Sequence, residues 1–312
     1  MDYRNSKIAV IHIGTMKVGT TSIQKFMAEN KEKIYADTGL WPICQYTRTP
    51  QQLQEILRSE KATGKSLMIC DEGFWHHAFV NKRVDLLGIR DILADYSFKV
   101  VLYARRPAEF LESWYLQGLK SGTGAVTLDK FLNSPSVSEG LNFQERLPRF
   151  VKTFGDVTVR AYERSQLVGG DAITDFLSFC GILPDGFVFP AKANETPDPN
   201  ALMMARLMRE FAPQSDHENL RRATERLTSK ERYSILTSDE IVEINRRYSP
   251  QIRFLQEQYG RPGRTSFFDE ATVRLGHSDS RSIRRIYDEV ITEILRNKTT
   301  RPKWSLSRFG AK

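Results

Sequence analysis

Short apolar runs separated by longer periodic segments characterise the first part of the chain. Four such runs predict strands, and the first, rich in Ile and Val, has the pattern of a strand buried on both faces. The strands are predicted at residues 7–13, 66–70, 99–104 and 156–161. Helical spacing of apolar residues falls near 20–30, 50–60, 83–95, 107–120 and 142–154. Strands that alternate with helices predict βαβ units and a mainly parallel sheet.

Helical periodicity without strands dominates after Ala161. Pro250 is expected to interrupt one of these later helices. The helices are predicted at 171–180, 200–212, 238–258 and 280–296, with a proline-containing loop at 187–200. We therefore predict an α/β fold in a single domain, residues 1–312. Its parts are an α/β core (7–190), a helical C-terminal part (191–297) and an aperiodic basic tail (298–312) that is a candidate for disorder.

The chain has an excess of positive charge, with 46 Lys and Arg against 38 Asp and Glu and a net charge of +8. This excess favours an anionic partner, and nucleotide, acidic glycan and anionic lipid all fit it. Nucleic acid is not expected because no module signature for it is present. Much of the excess lies from Arg281 onward, where peripheral contact with an anionic membrane competes with the simpler interpretation of a solvated helix face and tail.

Nothing in the sequence indicates a membrane span, an export signal or a metal site. No apolar stretch approaches the roughly 18 residues that a span needs, and the polar N-terminus lacks a signal core, so we expect a cytoplasmic protein. Cys44, Cys70 and Cys180 lack the spacing of a zinc site. Cys70 and Cys180 are expected to be buried free thiols.

The most informative segment follows the first predicted strand and opens the first predicted helix. This context directs successive backbone N–H groups and a helix N-terminus at an anion. Gly14 and Gly19 let the backbone curl where a side chain would clash. The predicted fold is therefore a P-loop-like parallel sheet flanked by helices, with a helical C-terminal part. The residues predicted to hold the ligand are Gly14, Thr15, Met16, Lys17, Val18, Gly19, Thr20, Thr21 and Ser22.

This loop departs from the Walker A pattern at the position that serves triphosphates. The two glycines are present, but Thr20 stands where the pattern has a lysine, and Lys17 lies inside the loop instead. The Walker A lysine reaches the β- and γ-phosphates, so its loss argues against a triphosphate. A lysine within the loop can lie over a group attached to a single 5′-phosphate.

The segment HIGTMKVGTTS, residues 12–22, resembles the 5′-phosphosulfate loop of sulfotransferases that use 3′-phosphoadenosine 5′-phosphosulfate (PAPS). Met16 replaces the proline of the family's usual loop, and Val18 replaces its serine or threonine. The resemblance covers residues 7–164, and weaker similarities after it point to bacterial members with carbohydrate acceptors. It implies PAPS as donor, 3′-phosphoadenosine 5′-phosphate (PAP) as product, no required metal, and a hydroxyl-bearing acceptor, which we expect to be a glycan or glycolipid.

A second phosphate site is expected at the end of the third predicted strand. The run RRPAEFLESWY, residues 105–115, resembles the family's 3′-phosphate motif, in which an arginine and a serine eight positions later bind the phosphate. Here these are Arg105 and Ser113. Arginine suits phosphate because its guanidinium donates two hydrogen bonds at once. Ligands of such sheets also bind at the carboxyl ends of strands.

Two weaker resemblances complete the expected donor site. Residues 159–164 are similar to the part of the family that places an aromatic residue near adenine, here Tyr162, although a core tyrosine explains the pattern equally well. The family's late glycine-rich 3′-phosphate segment has a candidate at residues 261–264.

Sulfuryl transfer to an alcohol needs a base for the acceptor proton and a cation beside the leaving oxygen. Lys17 suits the second role. Glu72 is the preferred base because it ends a predicted strand, where burial can raise its pKa, and because glycan-directed members of the resembled family often carry a glutamate there. Asp71 is the alternative, and only one of these neighbours should point into the site.

Three histidines compete for the role of base because histidine titrates nearest to neutral pH. His12 lies in the first predicted strand and is expected to be packed there. His76 and His77 follow Phe74 and Trp75, which suit an acceptor pocket or a small core equally well.

Two rival functions remain at this point. Residues 67–72 also resemble a Walker B strand, so a P-loop kinase or NTPase is one alternative. A catalytically inactive nucleotide-binding protein is the other. The missing Walker A lysine and the Arg105–Ser113 pair argue against the first, and the presence of Lys17 and Glu72 argues against the second.

Overall fold

The computed structural model describes most of the chain. The described residues are 2–4, 7–79, 83–122, 127–191, 198–211, 214–225, 227, 234–269, 283–292 and 296. The chain divides into two compact units. The first comprises Met1–Trp114, Ser134–Glu195 and Asp239–Val273; the second comprises Tyr115–Asn133, Thr196–Ser238 and Arg274–Lys312. The single domain expected from the sequence stays a prediction, and its basic tail lies outside the described residues.

A five-stranded parallel sheet lies at the centre of the first unit, which confirms the predicted α/β class. The strands are β1 (Ile8–Gly14), β2 (Leu40–Ile43), β3 (Ser66–Cys70), β4 (Ser97–Ala104) and β5 (Val157–Ala161). Their order across the sheet is β2-β3-β1-β4-β5. All four predicted strands are present. β2 was not predicted, because it is only four residues long and contains Pro42, which sheets tolerate at an edge such as this one.

Helices make up most of the remaining described chain in both units. They are α1 (Thr20–Glu29), α2 (Lys31–Thr38), α3 (Pro50–Ser59), α4 (Gly73–Phe79), α5 (Leu86–Ile92), α6 (Pro107–Ser121), α7 (Leu128–Leu132), α8 (Pro135–Gly140), α9 (Phe143–Phe154), α10 (Ala172–Cys180), α11 (Pro199–Met208), α12 (His217–Glu225), α13 (Ser238–Arg247) and α14 (Ser249–Tyr259). A further helix covers 283–292, inside the predicted 280–296.

Pro250 interrupts the predicted helix 238–258 as expected. It stands in the first turn of α14, where its missing N–H has no intrahelical partner to lose, so α13 ends and α14 begins around Tyr248. The helices α2, α4, α7, α8 and α12 were not predicted, since segments of five to nine residues leave little periodicity to detect. Of the predicted loop 187–200, residues 192–197 lie outside the described part, and Pro199 already begins α11.

A buried polar network ties α10 to the sheet behind the loop that follows β1. The Asp175 carboxylate accepts a hydrogen bond from the Tyr103 hydroxyl, another from Arg160 Nη1 at 2.7 Å, and a third from the Val168 amide at 2.9 Å. Charge-assisted hydrogen bonds of this kind make burial of a carboxylate tolerable. The network therefore holds β4, β5 and α10 in a fixed relation.

Cys70 and Cys180 are buried free thiols, as predicted, and Cys44 is a half-buried one. Across the described ranges, no helix combines the length and the apolarity needed to traverse a bilayer. The same ranges contain no grouping of three His, Cys, Asp or Glu side chains that could bind a metal ion.

Candidate active site

The five parallel strands end at one edge of the sheet, so the segments that leave them are arranged in strand order along that edge. Residues 44–49 follow β2 at one end, and residues 71–72 follow β3. The loop 15–19 follows β1 in the middle. Arg105 and Arg106 follow β4, and Tyr162 follows β5 at the other end. Topology therefore brings the segments that carry Lys17, Glu72, Arg105 and Tyr162 to one edge.

The loop after β1 leaves no room for side chains at its two glycines. A Cβ at Gly14 would lie 2.3 Å from Thr20 Oγ1. Gly19 has φ +80°, which favours glycine, and a Cβ there would lie 2.9 Å from the Ala172 Cβ. Gly19 is also the N-cap of α1 and accepts a hydrogen bond from the Ile23 amide at 3.0 Å. The first N–H groups of α1 therefore lie at the loop, where an anion can bind.

The Thr20 hydroxyl is the clearest sign of a missing partner at this loop. Thr20 is only 2% exposed, and its Oγ1 has no hydrogen-bond partner among the described residues. Its closeness to Gly14 places it at the inner side of the loop. A buried hydroxyl without a partner is costly, and a phosphate oxygen would satisfy it. This residue therefore fits a nucleotide 5′-phosphate.

Other predicted loop residues contribute less than their side chains suggest. The Thr15 hydroxyl donates to the Tyr103 carbonyl at 2.9 Å, so it anchors the loop to β4. The Val18 side chain is fully buried in the core behind the loop, so a ligand can reach only its backbone. Met16 and Ser22 are half-buried, and Thr21 is exposed.

Lys17 lies at the outer turn of the loop in a conformation that is uncommon for a residue with a side chain. Its φ is +67°, and its carbonyl accepts a hydrogen bond from Arg105 Nη1 at 3.3 Å. This contact joins the loop after β1 to the end of β4. The crevice between these two strands is where the connections diverge to opposite sides, which is the expected ligand position in such sheets.

The Lys17 ammonium lies close enough to Glu72 to affect the pKa of its carboxyl. Glu72 is half-buried at the end of β3, and burial raises the pKa of its carboxyl, while the Lys17 ammonium acts in the opposite direction. The neighbouring Asp71 raises this pKa further, and Arg48 lowers it. The structure thus brings the predicted base and the predicted cation together.

Asp71 is occupied by its own backbone surroundings. Its fully buried carboxylate accepts hydrogen bonds from the Gly73 amide at 2.7 Å and the Thr47 amide at 3.3 Å. Arg48 Nε lies 3.7 Å from the same carboxylate. These contacts hold the turn after β3, so Asp71 serves the backbone while Glu72 remains partly exposed.

The histidines differ in their access to this site. His12 is fully buried, its Nδ1 lies 3.1 Å from Cys70 Sγ, and burial lowers the pKa of its imidazole to about 3. His76 is half-buried, and burial lowers its pKa to about 4. The ring centroid of His76 lies 5.2 Å from that of Trp114 and 5.1 Å from that of His77. His12 is therefore a core residue, whereas His76 and His77 lie beside Glu72 in sequence and space.

Phe74 and Trp75 belong to the core rather than to a pocket. Both are almost fully buried, and Trp75 Nε1 donates to the Gly140 carbonyl at 2.9 Å. The sequence left this question open, because an aromatic pair after a strand fits either role.

The predicted 3′-phosphate residues Arg105 and Ser113 lie at the end of β4 and on the following helix α6. Arg105 pairs with Glu109, whose Oε2 lies 3.3 Å from its Nη2. Ser113 is half-buried one helical turn beyond Glu109 on α6, so it shares a helix side with Glu109. Tyr162 lies near the loop after β1, because a Cβ at Gly19 would be 3.2 Å from its hydroxyl.

Residues 261–269, which include the candidate 261–264, pack against residues that follow β5. The Arg106 guanidinium donates to the Glu163 carboxylate and to the Asp269 carbonyl, the latter at 2.7 Å. Glu163 Oε2 in turn accepts from the Asp269 amide at 2.7 Å. Arg261 Nη2 donates to the Gln166 carbonyl at 3.1 Å. The late candidate segment therefore lies at the β4–β5 end of the edge.

The sequence analysis did not identify Arg48 and Tyr46 as candidate site residues. They lie in the segment after β2, which was itself not predicted, so no motif or spacing pointed to them.

Comparison with known proteins identifies a distant likeness in fold. No protein-family model matches the sequence, and no curated protein sequence matches it. Among solved structures, the chain is similar to the crystal structure of a sulfotransferase from Alicyclobacillus acidocaldarius. The two share 14% sequence identity, with 70% of this chain and 98% of that chain covered and a TM-score of 0.36. A likeness this distant carries no functional inference, so the chemistry has to be inferred from the site.

Proposed function

We propose that this protein is a sulfotransferase that moves the sulfuryl group of PAPS to an acceptor hydroxyl. The observation that carries the proposal is the pairing of Lys17, in a strand–loop–helix anion site, with the half-buried Glu72 at the end of the adjacent strand. A cation and a carboxylate with a raised pKa, side by side at an anion site, suit a reaction in which one group stabilises a leaving phosphate and the other removes a proton.

Different residues are proposed to bind different parts of PAPS. The amides of the loop and of the first turn of α1, with the Thr20 hydroxyl, hold the 5′-phosphate. Arg105 and Ser113 hold the 3′-phosphate, and Tyr162 contacts the adenosine. No residue in this scheme requires a metal ion.

The proposed step is an in-line displacement at sulfur. Glu72 takes the proton of the acceptor hydroxyl, and the acceptor oxygen forms a bond to sulfur. The bond between sulfur and the 5′-phosphate oxygen breaks, and its electron pair stays on that oxygen, which leaves PAP. In this scheme the Lys17 ammonium neutralises the charge that develops on the leaving oxygen. We propose a glycan or glycolipid as the acceptor.

The kinase or NTPase alternative has less support at this site. Thr20 occupies the position of the Walker A lysine, and the Asp71 carboxylate, which would hold Mg²⁺ in that scheme, is engaged with the Gly73 and Thr47 amides.

Calorimetric titration with PAP, without and with Mg²⁺, tests the donor. We expect PAP to bind with an affinity that Mg²⁺ does not change, because arginine, serine and backbone amides suffice for both phosphates. ATP under the same conditions is the control. If the protein does not bind PAP but binds ATP in an Mg²⁺-dependent manner, it is an NTPase and not a sulfotransferase. PAP binding with no transfer to any acceptor would indicate an inactive nucleotide-binding protein.

Arg105→Ala is expected to weaken PAP binding by about tenfold or more, because it removes charge-assisted hydrogen bonds to the 3′-phosphate. Adenosine 5′-phosphate lacks that phosphate, so its affinity should change little. Calorimetry with both ligands measures the difference. Arg58→Ala, which removes an exposed arginine of α3, is the matched control. An equal loss for both nucleotides would remove Arg105 from the 3′ site.

A further inference from the structure

The segment between β2 and α3 carries an arginine, Arg48, whose guanidinium makes no hydrogen bond with the described residues. The Arg48 side chain is 24% exposed, and its Cζ lies 4.1 Å from the ring centroid of Tyr46, which is itself 55% exposed. None of the hydrogen bonds among the described residues uses the Arg48 guanidinium, and its buried Nε has no acceptor there. The nearest carboxylate oxygen, on Asp71, is 3.7 Å away. Stacking on a tyrosine fixes the plane of the guanidinium without using its N–H groups.

This guanidinium lies against the turn after β3 that carries the proposed base. A Cβ at Gly73, the residue after Glu72, would lie 2.6 Å from Arg48 Nε. Arg48 also lowers the pKa of Glu72, against the larger effect of burial, which raises it. Any acceptor whose hydroxyl reaches Glu72 therefore passes close to the Arg48 donors.

Strand order separates the donor from this arginine. The donor-binding candidates Lys17, Arg105 and Tyr162 follow β1, β4 and β5, whereas Arg48 follows β2 on the other side of Glu72. In-line transfer requires the acceptor oxygen and the leaving oxygen on opposite sides of sulfur. The acceptor is therefore expected at the β2–β3 end of the edge, where Tyr46 is exposed and Arg48 is half-buried.

We propose that Arg48, held by Tyr46, binds an oxyanion on the acceptor, so the acceptor is an anionic glycan bearing a carboxylate, sulfate or phosphate group. This inference rests on the proposed sulfotransferase function. A partly desolvated guanidinium without hydrogen bonds gains most from a ligand that accepts two of them at once. The competing explanation makes Arg48 only the counter-ion of Asp71.

Binding of matched monosaccharides to the protein saturated with PAP tests the proposal. The anionic probes are glucuronate, glucose sulfate and glucose phosphate, the last two esterified at the hydroxymethyl group, and methyl glucoside is the neutral probe. Saturation-transfer NMR should show at least one anionic probe binding about tenfold more tightly than methyl glucoside. The preferred probe identifies which oxyanion the acceptor carries. Failure of all three anionic probes to exceed the neutral one would overturn the inference.

Variants separate recognition from a structural role. Arg48→Gln should lower the affinity for the preferred anionic probe by about tenfold and leave the affinity for methyl glucoside unchanged. Arg48→Lys should recover only part of the loss, because an ammonium lacks the planar fork. Arg58→Gln makes the same charge change on exposed α3 and should have no effect. If Arg48→Gln lowers the affinity for charged and neutral probes equally, or if Arg58→Gln causes the same loss of affinity, then Arg48 serves only as the counter-ion of Asp71.

PAP affinity, measured in every variant, keeps this test distinct from that of the donor site. If wild-type protein does not bind PAP, the proposed function fails and not the acceptor assignment. If Arg48→Gln itself loses PAP binding, Tyr46→Ala carries the test, since Tyr46 is exposed and only orients the guanidinium. Tyr46→Ala should lower the affinity for the anionic probe by about threefold. An unchanged affinity would overturn the proposal.

Discussion

Glu72→Gln is expected to lower sulfuryl transfer by about 10²–10⁴-fold, the usual contribution of a general base, while PAP affinity stays unchanged. Glutamine keeps the shape of glutamate but cannot take the acceptor proton. The measurement is transfer from radiolabelled PAPS to a glycan that the wild-type protein sulfates, with PAP calorimetry on the same preparations. Loss of transfer with retained PAP binding separates removal of the base from damage to the donor site.

Two variants define the meaning of this result. Glu55→Gln makes the same change at an exposed glutamate of α3 and should leave transfer intact. Asp71→Asn should lower thermal stability, since the Asp71 carboxylate holds the Gly73 and Thr47 amides. A fully active Glu72→Gln protein would move the base to His77 or Asp71.

The pH dependence of transfer follows from the same residue. Burial raises the pKa of Glu72 above its usual 4.5, and the base works only when it is deprotonated. Transfer should therefore be low below that raised pKa, increase as pH rises through it, and then level off. The acid side of the profile should be absent in the residual activity of Glu72→Gln.

Lys17→Met is expected to reduce turnover by about 10²–10³-fold, because the loop loses the cation that stabilises the leaving phosphate oxygen. PAP affinity should fall by less than about tenfold, since backbone amides and Arg105 still hold the two phosphates. Turnover and calorimetry on the same variant measure the two effects. Equal losses in both would reduce Lys17 to a binding residue.

The pH profile provides a second readout for Lys17. Its ammonium lowers the pKa of Glu72, so removing it should move the acid side of the profile to higher pH. Lys61→Met is the matched control, because Lys61 is an exposed lysine that also has a positive φ, +50°, but follows α3, away from the loop. An unshifted profile in Lys17→Met would contradict the proposed coupling.

The strands of this protein could be predicted wherever burial on both faces makes a continuous apolar run. That condition holds for β1, β3 and β4, whereas β5 is marked by the alternating Val157 and Val159. It fails for β2, whose four residues include Pro42 and form the edge of the sheet. Because β2 was not predicted, the segment after it, which carries Tyr46 and Arg48, was not identified from the sequence either.

The choice between Asp71 and Glu72 shows what the sequence left undecided. Alternation along a strand predicted that only one of them would point into the site, without saying which one. The answer depends on the Thr47 amide, which comes from the segment after β2 and reaches the Asp71 carboxylate. Likewise, the hydroxyl of Thr15 and the side chain of Val18 fit the motif by position, yet one bonds to Tyr103 and the other lies in the core.

The sequence by itself therefore determined the fold class, the loop after β1 and the set of candidate residues, because periodicity and motif spacing are local properties of the chain. Only the tertiary structure decided the order of the strands, which sets Lys17 beside Glu72 and puts Arg48 on the far side of Glu72 from Arg105. Strand order depends on pairing between distant segments, and such pairing leaves no signal in the spacing of residues along one chain.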